Sequence, residues 1–290
     1  FRNTNSNIST FLTIQEGCDK FCKFCVVPYT RGKEYSRPVD ELLIESKNLV
    51  ENGAKEITLL GQNVNAYNFK GKKLSDLISE ISKIKELKRI RYTTSHPTDF
   101  SKDLIEIHGR LSKLMPFIHL PVQSGSNKIL QSMNRKHTVK NYLELISKLK
   151  KINPLIKFSS DFIIGYPGET KNDFNMTLEL IKKVQFINTY SFIYSARPGT
   201  PAAKMNEVNS KISKERLILF QQTAEKIKYN YKKSLINKKS KVLFENKIKN
   251  SNEFFGRDEF SNPVITKSDY NLKGKLEEVK IVSCNKNTLF

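Results

Sequence analysis

Cys18-Asp19-Lys20-Phe21-Cys22-Lys23-Phe24-Cys25, continued by Val26-Val27-Pro28-Tyr29-Thr30-Arg31-Gly32, holds three of the four cysteines in the chain. The C-x3-C-x2-C spacing lets consecutive thiolates converge on one inorganic centre, and soft thiolate ligands favour zinc, copper or an iron-sulfur cluster. A structural zinc site closes with four ligands, so it requires a distant histidine or Cys284 as the fourth. A disulfide framework fits less well, because three clustered cysteines cannot pair among themselves. Three ligands leave one position open. On a four-iron cluster that means one iron without a protein thiolate, free to take a small molecule.

Outward from this stretch the chain alternates between two periodicities. Ile8 to Gln15 reads as a first strand that ends in the cysteine loop. Beyond Pro38, Val39, Leu42, Leu43, Leu49 and Val50 recur at helical spacing up to Asn52-Gly53, a helix stop. A strand at Glu56 to Leu60 leaves through Gly61-Gln62-Asn63. A helix around Leu74, Leu77, Ile78, Ile81 and Ile84 precedes a strand near Ile90 to Thr94, which leaves through Ser95-His96-Pro97. The next pair is a helix around Leu104 to Leu111 and a strand at Phe117 to Leu120, with Pro121 to Ser126 as its exit. Helix Val139 to Ile152 feeds strand Phe158 to Ile164 and the exit Gly165 to Thr170, where Thr170 and Asp173 predict a helix cap. The last strand, Thr189 to Tyr194, leaves through Ser195 to Thr200, and a long amphipathic helix runs from Ile212 to about Leu235.

Six strand-helix units predict a parallel sheet, and the count fits an open, three-quarter β/α barrel, although a doubly wound sheet shows similar alternation. In barrels the chemistry sits at the carboxyl ends of the strands. Those ends are the six polar or Gly/Pro-rich exits, and the cysteine loop is the first. After Lys238-Lys239 the texture changes to short β-like runs, Val242 to Glu245, Phe254 to Arg257, Pro263 to Thr266 and Glu278 to Val282, which predict a small barrel. The expected division is therefore residues 1–9 as the linker remnant of a missing N-terminal domain, 10–237 as the catalytic core and 238–290 as the small domain.

The 290 residues carry 50 Lys plus Arg against 29 Asp plus Glu, a formal net charge of +21. Such an excess predicts an electrostatic footprint for nucleic acid. No apolar run reaches the roughly 20 residues a membrane helix needs, so a membrane partner is not expected. Cysteine usage suits a reducing compartment and predicts a cytoplasmic protein.

The cysteine loop, with Phe24 before the last cysteine, resembles the cluster loop of the radical S-adenosylmethionine (SAM) superfamily. The longer string through Val26 to Gly32 and on to Ser36-Arg37-Pro38 is similar to the methylthiotransferases, above all to those acting on N6-dimethylallyladenosine in tRNA. The resemblance implies a 4Fe-4S cluster on Cys18, Cys22 and Cys25 whose open iron binds SAM, and reductive cleavage of SAM to a 5'-deoxyadenosyl radical. It also implies that Gly61, Gln62 and Asn63 form the turn that meets the SAM amino group. Ser95, Gln123 and Asp161 are then expected at the ribose or the amino-acid part of SAM, with Arg135 at its carboxylate. Each has a local alternative: turn glycines, a satisfied strand polar group at Asp161, a helix-end cation at Arg135. The residues at 238–290 resemble the TRAM domain, an RNA-binding appendage of this family.

The four histidines, His96, His108, His119 and His137, show no ligand spacing; His108 reads as a helix-face residue and Cys284 as a core residue of the small domain. The resemblance implies methylthiolation of adenine C2 beside the anticodon by a monomer. The partners implied are the tRNA anticodon stem-loop and an electron donor such as flavodoxin or ferredoxin, and a second 4Fe-4S cluster belongs to the missing N-terminal domain. The alternatives are a sibling acting on threonylcarbamoyl-adenosine or on an aspartate of a ribosomal protein, and a non-catalytic iron-sulfur module that binds RNA.

Overall fold

The computed structural model describes residues 7–93 and 95–290. Six parallel strands, numbered here in chain order, are β1 Ser9–Thr13, β2 Glu56–Leu60, β3 Arg89–Tyr92, β4 Phe117–His119, β5 Lys157–Ile164 and β6 Asn188–Ile193. β1, β2 and β3 pair in that order, and so do β4, β5 and β6. The two runs meet where Ile90 bridges Leu114, with Met115 donating to the Ile90 carbonyl at 3.0 Å. Spatial order thus follows sequence order throughout. A doubly wound sheet reverses its order at a switch point, so the open β/α barrel is the architecture. Among the described residues no ladder joins β1 to β6.

The helices form where apolar residues share a face. Leu74, Leu77, Ile78 and Ile81 are buried on helix Leu74–Ser82, and Tyr142, Leu145, Ile146 and Leu149 on helix Val139–Ile152. Those stripes pack on the outer face of the strands in two clusters, one behind β1 to β3 and one behind β4 to β6. Thr170 and Asp173 form the expected capping box on helix Lys171–Val184, and Thr138 with Asn141 forms another on Val139–Ile152.

Several boundaries differ from the sequence reading. The first strand stops at Thr13, and Gln15–Glu16 turns away to pair with Tyr35–Ser36, which closes the cysteine loop at its base. The third strand is described to Tyr92, and Thr94, included in the expected strand, lies outside the described residues. The helix expected around Leu104 to Leu111 is only Lys102–Ile107; His108 lies at its C-cap and not on its face, and is buried with its Nε2 2.7 Å from the Tyr92 hydroxyl. The long helix spans Ser210–Lys233. No helix among the described residues is long and apolar enough to cross a membrane.

Strands Lys239–Lys247, Glu253–Arg257, Pro263–Lys267 and Leu276–Lys280 form one antiparallel sheet, curled around Val242, Phe244, Phe254, Val264, Ile281 and Leu289. Cys284 packs against that core. Two arginines of β3 tie this sheet to the barrel. Arg89, 1% exposed, donates to the carbonyls of Arg257 and Lys241 at 2.8 Å each; Arg91 donates to those of Asp258 and Glu259 at 2.9 Å each. Glu56 on β2 supplies the countercharge, 2.9 Å from Arg91 Nε. These contacts sit at the starts of β2 and β3, the opposite end of the barrel from the cysteines.

Candidate active site at the cysteine loop

Two glutamines fix the base of the loop. Gln15 is fully buried; its amide donates to the Gly17 carbonyl at 2.9 Å and its Oε1 accepts the Asn63 N–H at 3.0 Å. Gly61 lies against it, and a Cβ there would stand 2.6 Å from Gln15 Oε1. Gly61 therefore shapes the site from beneath and does not line it. Gln62 reaches back so that its Oε1 accepts the Gly17 N–H at 2.8 Å. The far side of the loop is clipped to the short helix Asn127–Ser132 and its exit: Lys23 donates to the Met133 carbonyl at 3.0 Å, and the Asn134 amide to that of Phe21 at 2.9 Å.

Around the cysteines lies a cavity of about 220 Å³ lined by Cys18, Cys22, Cys25, Gln62, Asn63, Ser95, Gln123, Arg135 and Asp161. The structure thus gathers every residue expected at the site except Gly61. Three of their buried polar atoms have no protein partner: Asn63 Oδ1, Ser95 Oγ and Arg135 Nε. Buried polar groups are ordinarily hydrogen-bonded, so a set of orphans on residues that line one cavity calls for a polar ligand. Gln123 adopts φ +79°, a left-handed conformation that costs on the order of 1–3 kcal/mol for a non-glycine residue. Its backbone is locked there by hydrogen bonds to Asp161 and Ile163 of β5, both 3.0 Å. The strain aims an amide side chain into the cavity.

Asn63 is oriented by two carboxylates that sequence reading did not identify. Its amide nitrogen donates to Asp99 at 2.6 Å and to Glu34 at 3.0 Å, and Asp99 pairs with Lys20 of the loop at 2.7 Å. His119 was unassigned; it lies 3.4 Å from Asp161 and opens onto a second cavity, about 470 Å³, that runs between the barrel wall and the C-terminal sheet. The signal was His119 at the end of β4 beside the alternating polar residues Lys157, Ser159 and Asp161 of β5, visible only once those strands are known to be neighbours.

Burial pushes the Cys18 thiol up to about 11, opposed by the backbone N–H of Lys20, and raises Cys25 as well. Both are thiols at neutral pH without a metal, so metal binding must release their protons. Burial, reinforced by the Arg135 charge, depresses His96 to about 2 and His137 to about 3, which keeps both rings neutral. Neither serves as a cation for a phosphate. Among the described residues no three His, Cys, Asp or Glu side chains crowd around a single metal position. Three clustered thiols without a fourth close ligand among the described residues suit a cluster with one open iron better than a closed zinc shell. The three thiols and the orphaned donors and acceptors together fit a 4Fe-4S cluster with SAM beside it.

The family model described as the radical SAM superfamily matches residues 12–181. The tRNA-2-methylthio-N(6)-dimethylallyladenosine synthase of Pelagibacter ubique is 58% identical over 100% of this chain, and that of Wolbachia pipientis subsp. Culex pipiens 52% over 97%. The chain spans 66% of the length of each, slightly less than two thirds. A solved structure of the radical SAM methyltransferase TsrM from Kitasatospora setae superposes with TM-score 0.56 at 15% identity, over 68% of this chain and 39% of that one. This last likeness is one of fold. Because the family match runs through the cysteine loop, the strained exit at Gln123 and five of the six strands, this chain belongs to the radical SAM superfamily.

Proposed function

We propose that the chain is the catalytic core of a tRNA methylthiotransferase that modifies C2 of N6-dimethylallyladenosine at position 37. The observation that carries this reading is the identity of 58% across the whole chain to a relative of that name, joined to a cavity built for a cluster and a polar cofactor. When bound, the cluster and SAM supply reductive cleavage of the sulfonium and a hydrogen-abstracting radical. Cys18, Cys22 and Cys25 would hold the cluster. Asn63, Ser95 and Gln123, from the exits of β2, β3 and β4, and Asp161, from within β5, would orient SAM, and the barrel wall would exclude water from the reacting atoms.

The second cavity supports an RNA substrate. Phe11 and Tyr190 present exposed aromatic faces to it, an arrangement suited to stacking an unpaired base. The curled C-terminal sheet, with exposed Lys238, Lys239, Lys241, Lys247 and Lys249, would serve as a TRAM-like RNA-binding unit at 238–290 following the core at 10–237. An electron donor of the flavodoxin or ferredoxin class would reduce the cluster of the monomer. Cys284 is the only cysteine outside the loop, so a second, sulfur-donating cluster would need ligands from outside these 290 residues.

Anaerobic incubation of the reduced, cluster-loaded protein with SAM and tRNA tests the reading. Dimethylallyl-modified tRNA is expected to stimulate 5'-deoxyadenosine formation, with deuterium passing from adenine C2 to the product. Stimulation by threonylcarbamoyl-modified tRNA instead would assign the sibling activity, and no SAM cleavage at all would leave only a binding module.

A further inference from the structure

Arg135 is 8% exposed, and no carboxylate stands within ion-pair distance of it among the described residues. Its fork is already committed: Nη2 donates to the Pro121 carbonyl at 2.7 Å, and Nη1 points at Cys22 Sγ at 3.6 Å. The neighbouring rings, His96 and His137, are neutral and offer no anion. A buried cation without a partner is strongly unfavourable, so the site must provide negative charge when loaded. The nearest group able to carry it is the Cys22 thiolate, the most buried of the three cysteines.

We propose that Arg135 is a positioning residue for the cluster: its guanidinium donates to the Cys22 sulfur and makes the cluster easier to reduce. Reduction adds one negative charge beside a fixed cation, and hydrogen bonds to cluster sulfurs are a recognised determinant of reduction potential. The backbone prepares this contact. Asn134 adopts φ +59° and holds the Phe21 carbonyl, while the Arg135 N–H donates to Leu130 at 2.8 Å, so the side chain is delivered to the loop from the end of Asn127–Ser132. The assignment differs from a role at the SAM carboxylate, and it does not depend on the identity of the RNA substrate.

The test is a redox titration of the reconstituted 290-residue protein, followed by electron paramagnetic resonance without SAM, for the parent, Arg135→Gln and Arg135→Lys. The Gln variant is expected to hold about tenfold less reduced cluster at a given poise, a midpoint about 59 mV more negative for one electron. The Lys variant, which keeps the charge, is expected to stay within about threefold of the parent. An unchanged Gln midpoint accompanied by weakened SAM binding would overturn the proposal in favour of the carboxylate role. If Gln fails to load iron while Lys loads it, the charge is required as proposed; if neither loads, the arginine serves packing alone and the proposal fails.

Discussion

Gln62 sends its side-chain oxygen back across the mouth of the barrel to accept the N–H of Gly17 at 2.8 Å, one residue before the first cysteine. This hydrogen bond links the exit of β2 to the exit of β1. Gln62→Ala is expected to cost about 1 kcal/mol of loop order and to speed loss of iron to a chelator severalfold, with secondary structure unchanged by circular dichroism. Parent-like chelation kinetics would remove Gln62 from the role of anchor.

Gly17 has φ +73°, and a Cβ there would lie 2.0 Å from the Lys33 carbonyl oxygen. Gly17→Ala therefore suffers both backbone strain and a clash with backbone that cannot rotate aside. The variant is expected to fold its barrel but to bind substoichiometric iron, measured by colorimetric iron assay after reconstitution. Full iron occupancy would contradict this.

Among the described residues, the Glu56 carboxylate is the one acid paired with both Arg89 and Arg91, at 3.9 Å and 2.9 Å, and all three side chains are buried. Glu56→Gln leaves two cations without their countercharge, expected to destabilise by about 3–5 kcal/mol. The docking of the C-terminal sheet should loosen with it, seen as new protease cleavage near Asn237 to Lys239. A urea midpoint equal to the parent's would show that the carbonyls alone satisfy the arginines.

Asp173 contributes to the pH dependence of stability. Burial acts to raise its pKa, but hydrogen bonds from Ser126, from the Thr170 hydroxyl and from the Thr170 N–H, helped by Lys128, outweigh it and hold the group at about 2. A folded pKa below the unfolded one contributes stability above the unfolded value, roughly 3.9, which is lost as pH falls through the folded value. Asp173→Asn is expected to lose about 1–2 kcal/mol at neutral pH and to flatten the stability profile between about pH 4 and pH 2. Parallel profiles for parent and variant would exclude Asp173 as the acid-sensitive group.

Local signals were legible wherever one element decides its own structure. The boundaries Glu56–Leu60 and Val139–Ile152 follow from apolar periodicity, and the cap on Lys171–Val184 from Thr170 and Asp173, because those hydrogen bonds close within three residues. The cysteine spacing picked out three of the residues lining the cavity, and the family resemblance pointed to six more, Gln62, Asn63, Ser95, Gln123, Arg135 and Asp161. The close approach of Gly61 to Gln15 was not legible in the sequence, because Gln15 comes from another strand. His108 reads as a helix-face residue, whereas the helix ends at Ile107 and His108 caps it, because so short a helix gives little periodic signal for where it stops.

The amino-acid sequence by itself determined the close spacing of Cys18, Cys22 and Cys25 and the alternation of strands and helices, since chain spacing and side-chain periodicity are properties of neighbouring residues. Only the tertiary structure decided that the strands lie in sequential order as an open barrel, that Arg89 and Arg91 clasp the C-terminal sheet, and that Arg135 meets the sulfur of Cys22 from 113 residues away. Such contacts are set by how packed elements bring distant charges together, and a burial cost becomes visible only when the surroundings of each charge are known.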